Sequence, residues 1–215
     1  MELNEHIRKL RSDYAHSELS EGGIENNPVL QFERWLKEAI SAEVSEPNAM
    51  TLSTVSKEGK PSSRIVLLRE ISAKGFTFYS NYNSKKAQDI VSNSNAALNF
   101  FWPQVERQVR VEGVLEKISD ELSDNYFQSR PRGSKLGAWA SGQSQVIKSR
   151  QVLEEKFSEL SAKFPGDEVP RPAFWGGYLL KPTMLEFWQG RPGRLHDRIQ
   201  YLLKNHEWLI QRLSP

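Results

Sequence analysis

The feature that most constrains this chain is its texture from Ala49 onward: short β-branched and aromatic runs, each closed by turn residues. Runs at 49–55, 62–69 and 76–80 are separated by Lys57-Glu58-Gly59-Lys60 and by Lys74-Gly75, the spacing of an antiparallel meander. Runs at 96–102 and 107–118 follow, the second alternating through Val109, Val111, Val114 and Leu115 with Gly113 as an expected bulge. Four more lie at 175–181, 184–189, 196–203 and 207–213, with turns at Lys181-Pro182 and Lys204-Asn205. That makes about nine strands. Helical periodicity is confined to other stretches. It covers 3–19 through Ile7, Leu10 and Tyr14, and a helix opened by the Asn27-Pro28 cap signal, with Leu30, Phe32, Trp35, Leu36, Ala39 and Ile40 as its apolar face. Ser84–Ser92, 120–129 and 145–164 are also helical, the last along Val152, Leu153, Phe157, Leu160 and Phe164, after a loop rich in Arg, Gly and Ser. Strands in runs with segregated helices specify an α+β fold, mainly antiparallel, of β-barrel type. No linker divides residues 1–215, so one domain is expected.

Composition removes several kinds of chemistry. There is no Cys, hence no disulfide, thiolate nucleophile or Cys-based metal site. His6, His16, His196 and His206 form no paired metal motif, and no metal is expected. Neither spacing of a Gly-rich phosphate loop occurs, and Ser134 and Ser144 lie in no nucleophile elbow. With 29 Lys+Arg against 27 Asp+Glu the net charge is +2, which argues against a nucleic-acid module. The longest apolar run is Ile65–Leu68, far short of the ~20 residues needed to span a bilayer, so no membrane association is expected. The N-terminus lacks a basic and apolar leader pattern, and the expected compartment is the cytoplasm.

What remains is a set of local basic clusters. Arg64 and Arg69 bracket Ile65–Leu68, and in a regular strand their odd separation sends them to opposite faces. Lys85 and Lys86 open a short helix just after Tyr79 and Ser80, a place suited to a phosphate or simply a solvated helix end. Tyr126, Arg130, Arg132 and Ser134 put a phenol, guanidinium groups and a hydroxyl within nine residues around Pro131. The densest cluster is Glu186-Phe187-Trp188-Gln189, a turn, then Arg194-Leu195-His196-Asp197-Arg198. A strand beginning near Arg194 would project Arg194, His196 and Arg198 from one face, where they repel unless an anion sits against them. Trp188 offers a flat wall for a ring. Arg191 has no assignable role.

The run Leu185-Glu186-Phe187-Trp188-Gln189, four residues, then Arg194-Leu195-His196-Asp197-Arg198 resembles the C-terminal signature of the pyridoxine/pyridoxamine 5′-phosphate oxidases. Arg64–Arg69, Phe78–Asn81, Ser84–Lys86, Glu106–Val109, Tyr126–Arg132 with Ser134, Gly137–Trp139 and Gln143-Ser144 are similar to that family's other motifs, in family order. Position 69 is Arg where the family commonly has Lys, and position 85 is Lys where Arg is frequent; charge survives both changes.

The resemblance implies an FMN-binding split β-barrel homodimer that oxidises pyridoxamine 5′-phosphate and pyridoxine 5′-phosphate to pyridoxal 5′-phosphate, with O2 as acceptor. It further implies that residues 1–25 form a mobile N-terminal helical segment and that 170–215 carry the dimer-interface and substrate motif. FMN contacts would come from Arg64, Ile65, Val66, Leu67, Leu68, Arg69, Tyr79, Ser80, Lys85, Lys86 and Gln108, with Gln143, Ser144, Trp188 and Arg198 supplied by the partner subunit. The substrate phosphate would meet Arg69, Tyr126, Arg130 and Ser134. Arg194 and His196 would flank the pyridine ring and act in catalysis, and Arg11 and Tyr14 would close over the site. The competing readings are another FMN-binding split-barrel oxidoreductase and a non-catalytic carrier of a B6 phosphate.

Overall fold

The computed structural model describes residues 3–10, 13–15 and 17–215. Among them are six helices and nine strands, in the order α1 (Leu3–Lys9), α2 (Pro28–Ser41), β1 (Ala49–Val55), β2 (Pro61–Leu67), β3 (Glu70–Ser72), β4 (Gly75–Asn81), α3 (Lys85–Ser92), β5 (Asn95–Trp102), β6 (Arg107–Lys117), α4 (Asp120–Ser129), α5 (Arg132–Ala140), α6 (Arg150–Lys163), β7 (Trp175–Gln189), β8 (Asp197–Lys204) and β9 (Glu207–Arg212). The sheet runs β2-β1-β5-β6-β7-β4-β3, with β8 pairing β7 and β9. The chain forms two compact units, one of residues 1–48, 99–111 and 183–215, the other of 49–98 and 112–182.

In the first unit α2 is capped as its sequence predicts: Asn27 Oδ1 accepts from Val29 N at 2.8 Å and Pro28 occupies the first turn. Its buried face is Val29, Phe32, Trp35 and Ala39, whereas Leu30 and Ile40, expected in that face, are exposed. Phe32 packs on Phe100 and Trp102, Trp35 edge-on against Phe187, and the Arg107 guanidinium lies 4.3 Å over the Trp35 ring. Arg107 is also ion-paired to Glu38 and donates to Gln189 Oε1 at 2.8 Å. β8 and β9 form a hairpin joined to β7 in the register Trp188↔Arg198.

In the second unit β1 and β2 are an antiparallel hairpin, Thr54 facing Ser62 and Leu52 facing Arg64. β4 pairs with residues 175–180 of β7. A small core of Phe127, Leu136, Val169 and Trp175 joins α4, α5 and β7.

Four expectations are corrected. The helix placed at 3–19 ends at Lys9: Leu3, Ile7 and Leu10 are exposed, so no burial extends it. The break at Lys181-Pro182 is absent because β7 is one strand whose proline falls between its register with β4 and its register with β8. β6 is likewise unbroken at Gly113, where a Cβ would come within 2.1 Å of the Lys181 carbonyl, so this glycine marks a close backbone approach. The loop before 145 contains α5, whose Leu136 and Ala140 are buried and whose Arg132 donates to the carbonyls of Ser161, Phe164 and Gly166 at the end of α6. Tertiary contacts, absent from local composition, hold that Gly- and Ser-containing segment helical.

Asn27→Ala removes the cap of α2 and is expected to lower stability by about 1 kcal/mol, with Asn27→Ser close to wild type, measured as the shift in urea midpoint.

Candidate active site

The second unit holds a cavity of about 670 Å³ built where β2, β4, α3, α4 and α5 end or begin. Its lining includes Arg64, Arg69, Lys86 and Arg130, four cations, and no carboxylate. The alternation expected to separate Arg64 from Arg69 fails, because β2 stops at Leu67 and Arg69 is bonded instead to β4, its N–H donating to the Thr77 carbonyl at 2.9 Å, and both arginines line the cavity. Lys86 sits in the first turn of α3 and is buried, with Nζ donating to Gln143 Oε1 at 2.7 Å and to Ser84 Oγ at 3.3 Å. Burial first, and the nearby Arg64 charge second, lower its pKa to about 8. Arg130 precedes Pro131, the N-cap of α5, lies 4.5 Å over the Trp175 ring, and has a buried Nη1 with no hydrogen-bond partner among the described residues. Burial also lowers its pKa.

Aromatic rings form one wall. Tyr79 and Tyr126 stack at 3.8 Å and 15°, and Trp175 lies nearly parallel to both. Burial, followed by the charges of Glu70, Tyr126 and Tyr82, pushes the Tyr79 phenol up to about 12, so it stays a neutral donor. Ser80 Oγ donates to Gln143 Oε1 at 3.3 Å, and Ser134 lies at the mouth of α5.

Of the residues expected to contact FMN, Arg64, Ile65, Val66, Leu67, Arg69, Tyr79, Ser80, Lys86 and Gln143 line this cavity, as do the substrate candidates Arg69, Tyr126, Arg130 and Ser134. Leu68 is buried and Gln108 half-buried, and neither lines it. Lys85 is exposed and pairs with Asp89 at 3.2 Å, while its backbone N–H donates to Ser144 Oγ. Gln143 and Ser144, expected from a partner subunit, thus lie against α3 of their own chain, because the segment after α5 folds over the helix start. Arg11 lies outside the described residues.

The remaining candidates are in the first unit. Tyr14, Trp188, Arg194 and His196, with Arg191, line a second cavity of about 800 Å³. His196 packs on Trp188 at 4.7 Å, and Tyr14 meets both rings edge-on at 5.6 Å. Arg191 N donates to His196 Nδ1 at 3.1 Å, so the ring proton of neutral His196 resides on Nε2. β8 begins only at Asp197, and the alternation expected from 194 to 198 is replaced by a 3₁₀ turn in which Gly193 and Arg194 both have φ of 63°. A non-glycine residue held there is strained, and the turn presents Arg194 to the cavity. Arg198 is instead fixed outside it, donating to Glu186 Oε1 at 2.8 Å and to the Ser214 carbonyl.

Trp175 and Arg191 were missed as site residues. Trp175 was legible as an aromatic beside Gly176-Gly177, where small residues admit a close neighbour. Arg191 carries no local signal. Its guanidinium reaches Asp197 nearby and the Ser17 carbonyl and Glu18 far along the chain.

The second unit thus holds a cation-lined cavity with one aromatic wall. Residues 36–164 match the family model described as pyridoxamine 5′-phosphate oxidase, and 175–215 that of the pyridoxine 5′-phosphate oxidase C-terminal dimerisation region. The chain therefore belongs to the pyridoxamine 5′-phosphate oxidase family. It is 54% identical to the pyridoxine/pyridoxamine 5′-phosphate oxidase of a Cyanothece species over 97% of this chain and 98% of the relative. Against the protein of that name from Haemophilus ducreyi it is 56% identical, over 97% and 99%. Among solved structures it is similar to PhzG of Burkholderia lata, in complex with tetrahydrophenazine-1-carboxylic acid, with TM-score 0.88 and 26% identity over 94% of this chain and all (100%) of that one. An FMN-binding, pyridoxamine 5′-phosphate oxidase-related protein of Nostoc punctiforme shares the fold, with TM-score 0.69 and 18% identity over 86% and 97%.

Lys86 gives a pH signature. In the folded protein it releases its proton near pH 8, and in the unfolded chain near 10.5, so between those values the unfolded state holds more protons and stability rises with pH. Urea midpoints of the ligand-free protein against pH should show this rise relative to Lys86→Met, which lacks it.

Proposed function

We propose that this chain oxidises pyridoxamine 5′-phosphate and pyridoxine 5′-phosphate to pyridoxal 5′-phosphate, as a cytoplasmic FMN-dependent homodimer. The alcohol and O2 give the aldehyde and H2O2; the amine, O2 and water give the aldehyde, NH3 and H2O2. The observation that carries the reading is the cavity with four cations and no carboxylate, in a chain more than half identical to oxidases of that name along nearly its whole length.

FMN fits what the residues present. A phosphate needs donors that lack a carboxylate partner, and buried Lys86, bonded to Gln143 and Ser84 rather than to a carboxylate, supplies one. Arg64, Lys86, Ser80 and the backbone of 64–67 would hold FMN. Bound FMN supplies a two-electron acceptor, and orientation is left to the protein. Arg69, Tyr126, Arg130 and Ser134 bind the substrate phosphate: two guanidinium groups carry its charge, and the phenol and hydroxyl fix its direction. Trp188 and Tyr14 form an aromatic wall for the pyridine ring. Arg194 orients that ring. His196, with Nδ1 taken by Arg191 N–H, holds or moves a proton at Nε2, the atom suited to the proton leaving the substrate alcohol or amine. Trp188, Arg194 and His196 lie within 175–215, the stretch that matches the family's C-terminal dimerisation region, so on this reading they belong to the subunit contact.

Purified protein supplied with FMN and either substrate is expected to consume O2 and to form peroxide and pyridoxal 5′-phosphate in equal amounts. Bound FMN with no product from either substrate overturns the reading. Arg130→Ala should raise KM for pyridoxamine 5′-phosphate by about ten- to a hundredfold, the loss of a charged hydrogen bond, with FMN affinity little changed. Arg194→Ala should lower kcat/KM by at least about tenfold in steady-state assays, and full turnover with unchanged substrate affinity would remove Arg194 from the mechanism.

A further inference from the structure

Asp89, on α3, is 4% exposed and has no part in the chemistry above. Its Oδ2 accepts from Thr54 Oγ1 at 2.8 Å and from Ser62 Oγ at 3.0 Å, and its Oδ1 accepts from Lys85 Nζ at 3.2 Å. Thr54 and Ser62 face one another in the β1–β2 register, their hydroxyl oxygens 3.2 Å apart. Both hydroxyls also accept from one guanidinium: Arg64 Nη1 donates to Thr54 Oγ1 at 2.9 Å and Nη2 to Ser62 Oγ at 2.6 Å. A third bond runs from Nη1 to the Leu52 carbonyl at 3.1 Å.

The polarity of this network follows from proton counting. A hydroxyl has one proton and two lone pairs. Asp89 takes the proton of each hydroxyl, which turns the lone pairs toward Arg64. Without an acceptor at position 89, each hydroxyl proton is left to turn, and two of the three bonds that aim Arg64 are no longer fixed in direction. A guanidinium has five N–H donors, so three fixed bonds leave two for the cavity that Arg64 lines. The Asp89 charge also opposes the lowering of the Arg64 pKa by burial.

We propose that Asp89 is a positioning residue for the cofactor: acting through the Thr54 and Ser62 hydroxyls, it fixes the Arg64 guanidinium that meets FMN. The inference rests on the reading in which Arg64 holds FMN, and it adds a residue that touches neither cofactor nor substrate.

The test is FMN titration of the apoprotein, followed by quenching of flavin fluorescence, with no turnover required. Asp89→Leu is expected to weaken FMN binding by about ten- to a hundredfold. Asp89→Asn, whose carbonyl oxygen still accepts both hydroxyl protons, should stay within about threefold of wild type. In an Arg64→Met background, Asp89→Leu should cost less than about twofold more, because its effect passes through Arg64. Unchanged affinity in Asp89→Leu overturns the inference, as does an equal loss with and without Arg64, or an Asn variant as weak as the Leu variant. Should Asp89→Leu fail to give a cooperative thermal melt, Thr54→Val and Ser62→Ala carry the same cycle, and wild-type affinity in both overturns it. Wild-type apoprotein that does not bind FMN overturns the functional reading together with this inference, an outcome distinct from all the others.

Discussion

Cationic groups gathered in one cavity without a carboxylate among its lining residues are the constraint on which the second unit depends. Buried charge is destabilising unless hydrogen-bonded and balanced. The chain meets the first demand internally, through Gln143 and Ser84 on Lys86 and through the Thr54 and Ser62 hydroxyls on Arg64. The second is met for Arg64 in part by the Asp89 charge and otherwise falls to a ligand. The local geometry serves the same end: β2 stops at Leu67 so that Arg64 and Arg69 share a wall, α3 begins at Lys85 so that Lys86 lies in its first turn, and Pro131 ends α4 so that Arg130 is turned inward.

Much of the fold was legible because its signals are local. β1, α2 and α4 follow from alternation, a cap and a turn, and the structure places them within a residue of where the sequence does. Errors fall where distant contacts decide. α5 is held by Arg132 bonds to the end of α6, some 30 residues away, and nothing within its own Gly- and Ser-containing stretch announces a helix. β7 passes through Lys181-Pro182 because its partners change there, a fact about other strands. The N-terminal periodicity ended at Lys9 for want of a surface to cover.

The site was legible in its residue types and partly illegible in its geometry. The motifs named Arg64, Lys86, Tyr126 and Arg130, and these residues meet in one cavity. Strand alternation failed at Arg69 and again from Arg194 to His196, since in both places the chain leaves the regular strand to present a charge. Asp89 and Arg191 were invisible for a different reason. Each works on another side chain or on the chain ends, and a supporting contact leaves no spacing in the sequence to read.

One such contact joins two stretches that lie far apart in the sequence. Arg212, in the last strand, donates to both carboxylate oxygens of Glu21, to the Leu19 carbonyl and to Asp197, whose other oxygen accepts from Leu19 N. The Glu21 bond closes a span of 191 residues. Closing so long a span costs chain entropy, so the contact forms only where the intervening strands already bring its two ends together.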